Sequence, residues 1–160
     1  MPLTAAYMFR TTDTPDVQAN PDLLNNPYFY WHADFVVTFD KPVAQNSVTL
    51  AGRYDAWMDG AWIPYANPNA VAEGEEIRLL GEIGKLMNSG NPVYINYAEL
   101  CAGIQKFICG AYDNDGQNAG TTMTVELRLY ETKPLEESEN NSVNEETGHY
   151  EVLGSFTHTF

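Results

Sequence analysis

Hydrophobic and polar side chains alternate along much of this chain with a period of two. The clearest case is Thr121 to Thr132, where Met123, Val125, Leu127 and Leu129 interleave with Thr124, Glu126, Arg128 and Tyr130. Successive side chains of a strand point to opposite faces, so this pattern predicts a half-buried strand. The apolar set is expected in the core, and Glu126 and Arg128 are expected in water. Tyr30 to Asp40 repeats the pattern, with Trp31, Ala33, Phe35, Val37 and Phe39 on one face and His32, Asp34, Val36 and Thr38 on the other. Shorter strands are read over Ser47–Tyr54, Glu76–Leu80, Pro92–Ile95, Phe107–Tyr112 and His149–Phe160. Turn-forming pairs such as Lys41-Pro42, Asn67-Pro68, Glu73-Gly74 and Asp115-Gly116 separate them. Short strands at this spacing predict an all-β, mainly antiparallel fold, a β-sandwich or jelly-roll-like single domain.

Three segments depart from the strand pattern. Residues 96–104 predict one short helix, since Asn96 is a suitable N-cap, Glu99 can complete a capping box, and Tyr97, Leu100, Cys101 and Ile104 share a helical face. An irregular crossover is the alternative, because Gly103 weakens the helix. Residues 1–27 read as an extended N-terminal segment. Residues 131–148 hold six Glu and one Lys, with Leu135 and Val143 the only apolar side chains. Such a composition buries too little area to offset ordering entropy, which predicts an acidic mobile loop.

Composition narrows the partners. The 160 residues carry 8 Lys and Arg against 22 Asp and Glu, a formal charge of -14. A surface of that sign repels phosphate backbones and anionic lipid, so no nucleic acid and no anionic membrane surface is expected. No apolar run reaches membrane-spanning length. The start of the chain lacks the basic and apolar stretches of a secretory signal, so an extracellular setting would require a mature or excised module. Cys101 and Cys109 have seven residues between them, a spacing outside the usual zinc and redox patterns. Two buried thiols or one local disulfide are the readings that remain.

Catalytic signatures are missing from the sequence: no nucleophile elbow, zinc-binding HExxH, phosphate loop or dinucleotide fingerprint is present. Two candidate binding sites remain. Asp113, Asn114 and Asp115, followed by Gly116, cluster oxygen ligands that suit a structural calcium ion, although the same residues are those any strand-connecting turn prefers. The segment Tyr54 to Tyr65 contains Asp59-Gly60, a strong signal for a two-residue hairpin turn. Such a turn sets Tyr54 opposite Tyr65 and Trp57 opposite Trp62. Alternation then places Trp57, Trp62 and Asp55 on the face away from the core. Indole faces beside an acid suit the stacking of sugar rings, whereas cross-strand Trp packing is the plainer alternative. Tyr28 and Tyr30 extend the aromatic surface.

In general character the chain resembles secreted, acidic all-β modules of bacterial cell-surface proteins. The function expected from the sequence is a non-catalytic extracellular module that binds carbohydrate through the aromatic hairpin. The alternative is a structural or adhesive module that contacts a cell-surface protein. An enzyme of unrecognised type comes third.

Overall fold

In the computed structural model, residues 5–10, 30–54, 63–79, 93–96, 106–134 and 144–160 are described, with side-chain environments given over 33–52, 65–79, 108–131 and 146–160. Nine strands follow one another: β1 (Ala5–Arg10), β2 (Tyr30–Phe39), β3 (Val48–Tyr54), β4 (Ile63–Ala66), β5 (Ile77–Arg78), β6 (Val93–Asn96), β7 (Lys106–Asp113), β8 (Thr122–Pro134) and β9 (Asn144–Thr159). They form two antiparallel sheets. The first has the order β1-β7-β3-β4, and the second β5-β2-β8-β9 with β6 also on β2. Strands β5 and β6 share one edge of β2, at Val36–Val37 and Tyr30–Ala33 respectively. Both sheets contribute to one core, as an all-β domain of two sheets requires.

Alternation explains which face each strand buries. Ala33, Phe35, Val37 and Phe39 of β2 and Met123, Val125, Leu127 and Leu129 of β8 supply the second sheet's inner face. Val48, Leu50, Tyr65, Cys109 and Ala111 answer from the first. Asn67 closes the β3–β4 end, where its side chain accepts from the Val48 amide and donates to the Ala44 and Asn69 carbonyls. Satisfied in this way, a buried amide is tolerated at the rim of an apolar core.

A bulge divides β9. Leu127 faces Gly154 but Arg128 faces Val152, which leaves Leu153 as an extra, buried residue on β9. One inserted residue reverses the alternation. Before it, Tyr150 and Val152 lie on the outer face, 42% and 48% exposed. After it, Phe156 packs against the core, with Phe160 closing the end of the same strand.

Four expectations are refined or corrected. Within residues 1–27, Ala5–Arg10 is extended as a strand that pairs with β7 from Ala5↔Ala111 to Arg10↔Lys106; the rest of residues 1–27 lie outside the described residues. The acidic stretch is not a loop throughout: residues 131–134 and 144–148 continue the β8–β9 hairpin, with Lys133 opposite Glu145 and Thr132 opposite Glu146. Ladder bonds and that opposite-charge pairing offset the ordering entropy that composition alone leaves unmet. Asn96 ends strand β6 opposite Tyr30; the remainder of the expected 96–104 helix lies outside the described residues. Among the described residues a 3-10 turn forms over Asn114–Gly116.

The fourth correction concerns β3 and β4. Leu50 faces Tyr65 and Gly52 faces Ile63, four positions out of the register in which Tyr54 opposes Tyr65. Leu50 and Tyr65 face each other on the inner face, both nearly inaccessible; a shift of four, being even, leaves every side chain on the face that alternation gives it. Pro64 is accommodated because β4 is an edge strand. On its other side β3 pairs with β7 along its whole length, from Val48↔Asp113 to Tyr54↔Phe107. The expected turn at Asp59-Gly60 lies outside the described residues.

Candidate functional site

The described polar chemistry gathers on the outer face of the second sheet. Asp34 on β2 sits opposite Arg128 on β8, and Val36 sits opposite Arg78 on β5. The Arg78 Nε lies 3.1 Å from Asp34, whose side chain is wholly buried. The rest of its guanidinium donates to both carboxylate oxygens of Glu146, at 3.1 and 2.6 Å. Two parallel N–H···O bonds fix both position and plane, which a lysine would not do. Arg128 donates to Glu76 at 2.9 and 3.3 Å, to Glu126 at 2.8 Å and to the Tyr130 hydroxyl at 3.2 Å.

Two tyrosines complete the cluster. Arg78 lies 4.0 Å over the Tyr130 ring and Arg128 4.6 Å over the Tyr150 ring. The two rings are themselves 5.2 Å apart, tilted by 47°. Cation–π geometry of this kind favours partly desolvated guanidinium groups. Burial alone would favour the neutral form of both arginines. The hydrogen bonds that Arg78 donates to Glu146, with the charges of Asp34 and Glu146, outweigh it and hold that group firmly charged. The bonds that Arg128 donates to Glu76, Tyr130 and Glu126 do the same there.

Arg128 is 8% exposed, so the expectation that it lies in water is wrong. Glu126 is half-buried against it. Alternation placed both on the outer face correctly but gave no sign that this face is partly covered. The missing signal was Arg78, fifty positions from Arg128 and brought beside it only by the pairing of β5 with β2.

The expected calcium ligands meet a different chemistry. Both oxygens of Asp113 accept from the Asn118 backbone amide, at 3.3 and 3.1 Å, and one also accepts from the Asn118 side chain at 2.8 Å. Asn118 in turn donates to the Ser47 hydroxyl. The Asn114 side chain bonds Thr49 and the Asn46 carbonyl. Asp115 is exposed, with φ of 61° ahead of Gly116 at 65°. These bonds fasten the β7–β8 turn to the start of β3. Among the described residues, no group of three or more His, Cys, Asp or Glu is placed to hold a metal ion.

Of the expected sugar-binding residues, Asp55, Trp57, Trp62 and Tyr28 lie outside the described residues. Tyr30 is the first residue of β2, paired with Asn96; its side chain lies outside them too. Cys109 is a free thiol, fully buried on β7, and burial pushes its pKa up to about 12. In this structure it is a small core side chain, and Cys101 lies outside the described residues. Compared with known proteins, this chain matches no family model, no curated protein and no solved structure.

Proposed function

We propose that this domain is a non-catalytic binding module whose ligand, a carbohydrate, lies on the outer face of the second sheet. One observation carries the reading: Tyr150 and Val152 are the exposed large hydrophobic side chains among the described residues, and they stand together beside the arginine–carboxylate cluster. An exposed ring with fixed hydrogen-bonding groups around it suits a sugar, which offers C–H faces for stacking and hydroxyls for the polar groups. Catalysis is disfavoured by the same cluster. Its carboxylates are ion-paired to guanidinium groups, so their oxygens are already engaged as hydrogen-bond acceptors.

The test is a glycan and polysaccharide screen of the whole chain, repeated with Tyr150→Ala and with Trp57→Ala and Trp62→Ala. The Tyr150 variant should lose on the order of 1–3 kcal/mol of affinity, by analogy with stacking of bases on aromatic rings. Loss of binding only in the Trp variants would move the site to the hairpin segment with Asp55. An empty screen of the wild type would refute the carbohydrate reading.

A second reading is a structural or adhesive module of a bacterial cell surface that contacts protein. The uncharged stretch 152–160, where Ser155, Thr157 and Thr159 are exposed, favours it. Both readings place the domain outside the cell or at its surface, where an acidic coat keeps such modules soluble.

A further inference from the structure

Resting on the carbohydrate reading above, we infer that the ligand is a long, neutral polysaccharide that lies along β9, anchored on Tyr150 and running over a row of hydroxyl side chains to Thr159. The bulge at Leu153 makes this track continuous. Ahead of it Tyr150 and Val152 lie on the outer face, opposite Tyr130 and Arg128. Beyond it Ser155, Thr157 and Thr159 take over that face, opposite Glu126, Thr124 and Thr122. All five β9 residues are exposed. Without the inserted residue, alternation from Tyr150 would turn the three hydroxyl residues inward and send Phe156 and His158 out.

Exposure rises across the sheet toward this track. Asp34 and Val36 on the outer face of β2 are buried, Thr124 and Glu126 on β8 are half-buried, and Ser155 and Thr157 on β9 are exposed. A polymer on this face therefore seats over β9 and the near side of β8, with the arginine–carboxylate cluster as its flank.

The track matches a sugar chain in kind. Tyr150 offers a ring for stacking and Val152 an apolar neighbour. The hydroxyls of Thr124, Ser155 and Thr157 make no hydrogen bond among the described residues, and those of Thr122 and Thr159 bond each other at 2.8 Å. A hydroxyl donates one hydrogen bond and accepts two, so each of these still serves a sugar hydroxyl, which has the same dual character. Thr38, Thr124 and Thr157 stand side by side across three strands, a row of branched, stiff side chains whose hydroxyls are held in place before a ligand arrives.

Length sets the size class. The β8 partners of the two ends, Tyr130 and Thr122, are eight residues apart, or about 27 Å of strand. That distance holds several sugar rings laid end to end, and a disaccharide covers only one end of it. Charge sets the chemical class. Residues 152–160 contain no Asp, Glu, Lys or Arg, in a chain whose formal charge is -14. An acidic polymer is repelled by the chain as a whole and finds Arg78 and Arg128 already engaged with carboxylates. A neutral one meets hydroxyls with hydroxyls.

The test is titration calorimetry of the whole chain with neutral oligosaccharides of glucose, mannose, xylose and galactose, each from disaccharide to hexasaccharide, with polygalacturonate as the acidic comparator. For the sugar that binds, the hexasaccharide should bind about tenfold tighter than the disaccharide, as added hydrogen bonds along the track imply. Thr124→Val combined with Thr157→Val keeps the branched shape and removes two hydroxyls. That variant should weaken the hexasaccharide about tenfold at an unchanged far-UV spectrum and leave the disaccharide as it was. Tyr150→Ala should weaken both. Equal affinity for short and long chains overturns the track and leaves a sugar site at Tyr150; a double variant that binds the hexasaccharide as wild type does has the same meaning. Preference for polygalacturonate overturns the neutral class. Silence toward every sugar refutes the carbohydrate reading, and this inference with it.

Discussion

Replacing Arg78 with Ala tests the outer-face cluster most sharply, because its two partners stand in different surroundings. Glu146 is about one-third exposed and will rehydrate when the guanidinium is removed; Asp34 is wholly buried and loses a counter-charge 3.1 Å away. The gross attraction at that distance is about 5 kcal/mol at an effective dielectric of about 20. Breaking a buried pair typically costs about 3–5 kcal/mol. Arg78 is itself one-third exposed, which lets water replace part of the lost interaction. We therefore expect a loss of about 2–3 kcal/mol. In urea, with tryptophan fluorescence as the signal and a slope of about 1–3 kcal/mol/M, the midpoint should fall by about 1–2 M. Arg128→Ala should cost less, about 1–2 kcal/mol, because Glu76 and Glu126 are 52% and 33% exposed.

Two further arms isolate the charge. Adding Asp34→Asn to Arg78→Ala should recover stability, since a neutral amide needs no counter-charge. Acidification should bring wild type and Arg78→Ala together once the carboxylates are protonated, because they then gain nothing from the guanidinium. The penalty is thus present at neutral pH and lost as the pH falls. Equal midpoints for wild type and Arg78→Ala at pH 7, or a double variant no better than Arg78→Ala, would refute the argument.

Three other outcomes are expected. A chelator should leave the thermal midpoint unchanged while Asn118→Ala lowers stability by about 1–3 kcal/mol, as the loss of bonds to the buried Asp113–Ser47 corner implies; a midpoint that drops with chelator would restore calcium to Asp113, Asn114 and Asp115. Cys109 should resist thiol reagents at pH 8 until urea unfolds the chain, since its buried thiol titrates only near 12, and rapid labelling of that residue in the native protein would contradict its burial. Gly120→Ala should cost about 1–2 kcal/mol, read as a thermal shift, from strain at φ +83° and not from crowding, because the added carbon would meet only Lys41 Nζ at 3.6 Å.

How far the sequence reaches depends on whether the physics is local. Period-two alternation located β2 and β8 and named their buried faces, because a strand's two faces are written in its own residues. Asp113 to Asn118 read as a turn for the same reason. Register was not legible. The four-position shift between β3 and β4 keeps every side chain on its face, so alternation could not reveal it. The outer-face cluster was equally hidden. Asp34 looked like an ordinary polar residue on an exposed face, and its partner Arg78 meets it only after β5 docks on β2. Composition misjudged the acidic hairpin because Glu146 is held by that same arginine.

The pairing of β2 with β8 has a consequence for synthesis. Phe35 faces Leu127, about ninety positions later in the chain. A ribosome adding about 5–20 residues per second needs about 5–18 s to make that stretch. Throughout this interval Phe35, Val37 and Phe39 have been made but not their ladder partners Leu127, Val125 and Met123. The inner face of β2 is therefore made well before its β8 partner, and is at risk of joining the wrong neighbour in the meantime. By contrast β8 and β9 are adjacent and can zip as a hairpin within microseconds of their completion. A nascent chain cut short before residue 122 holds every strand of the first sheet but lacks β8 and β9, so the second sheet is left with β2 and its short partners β5 and β6.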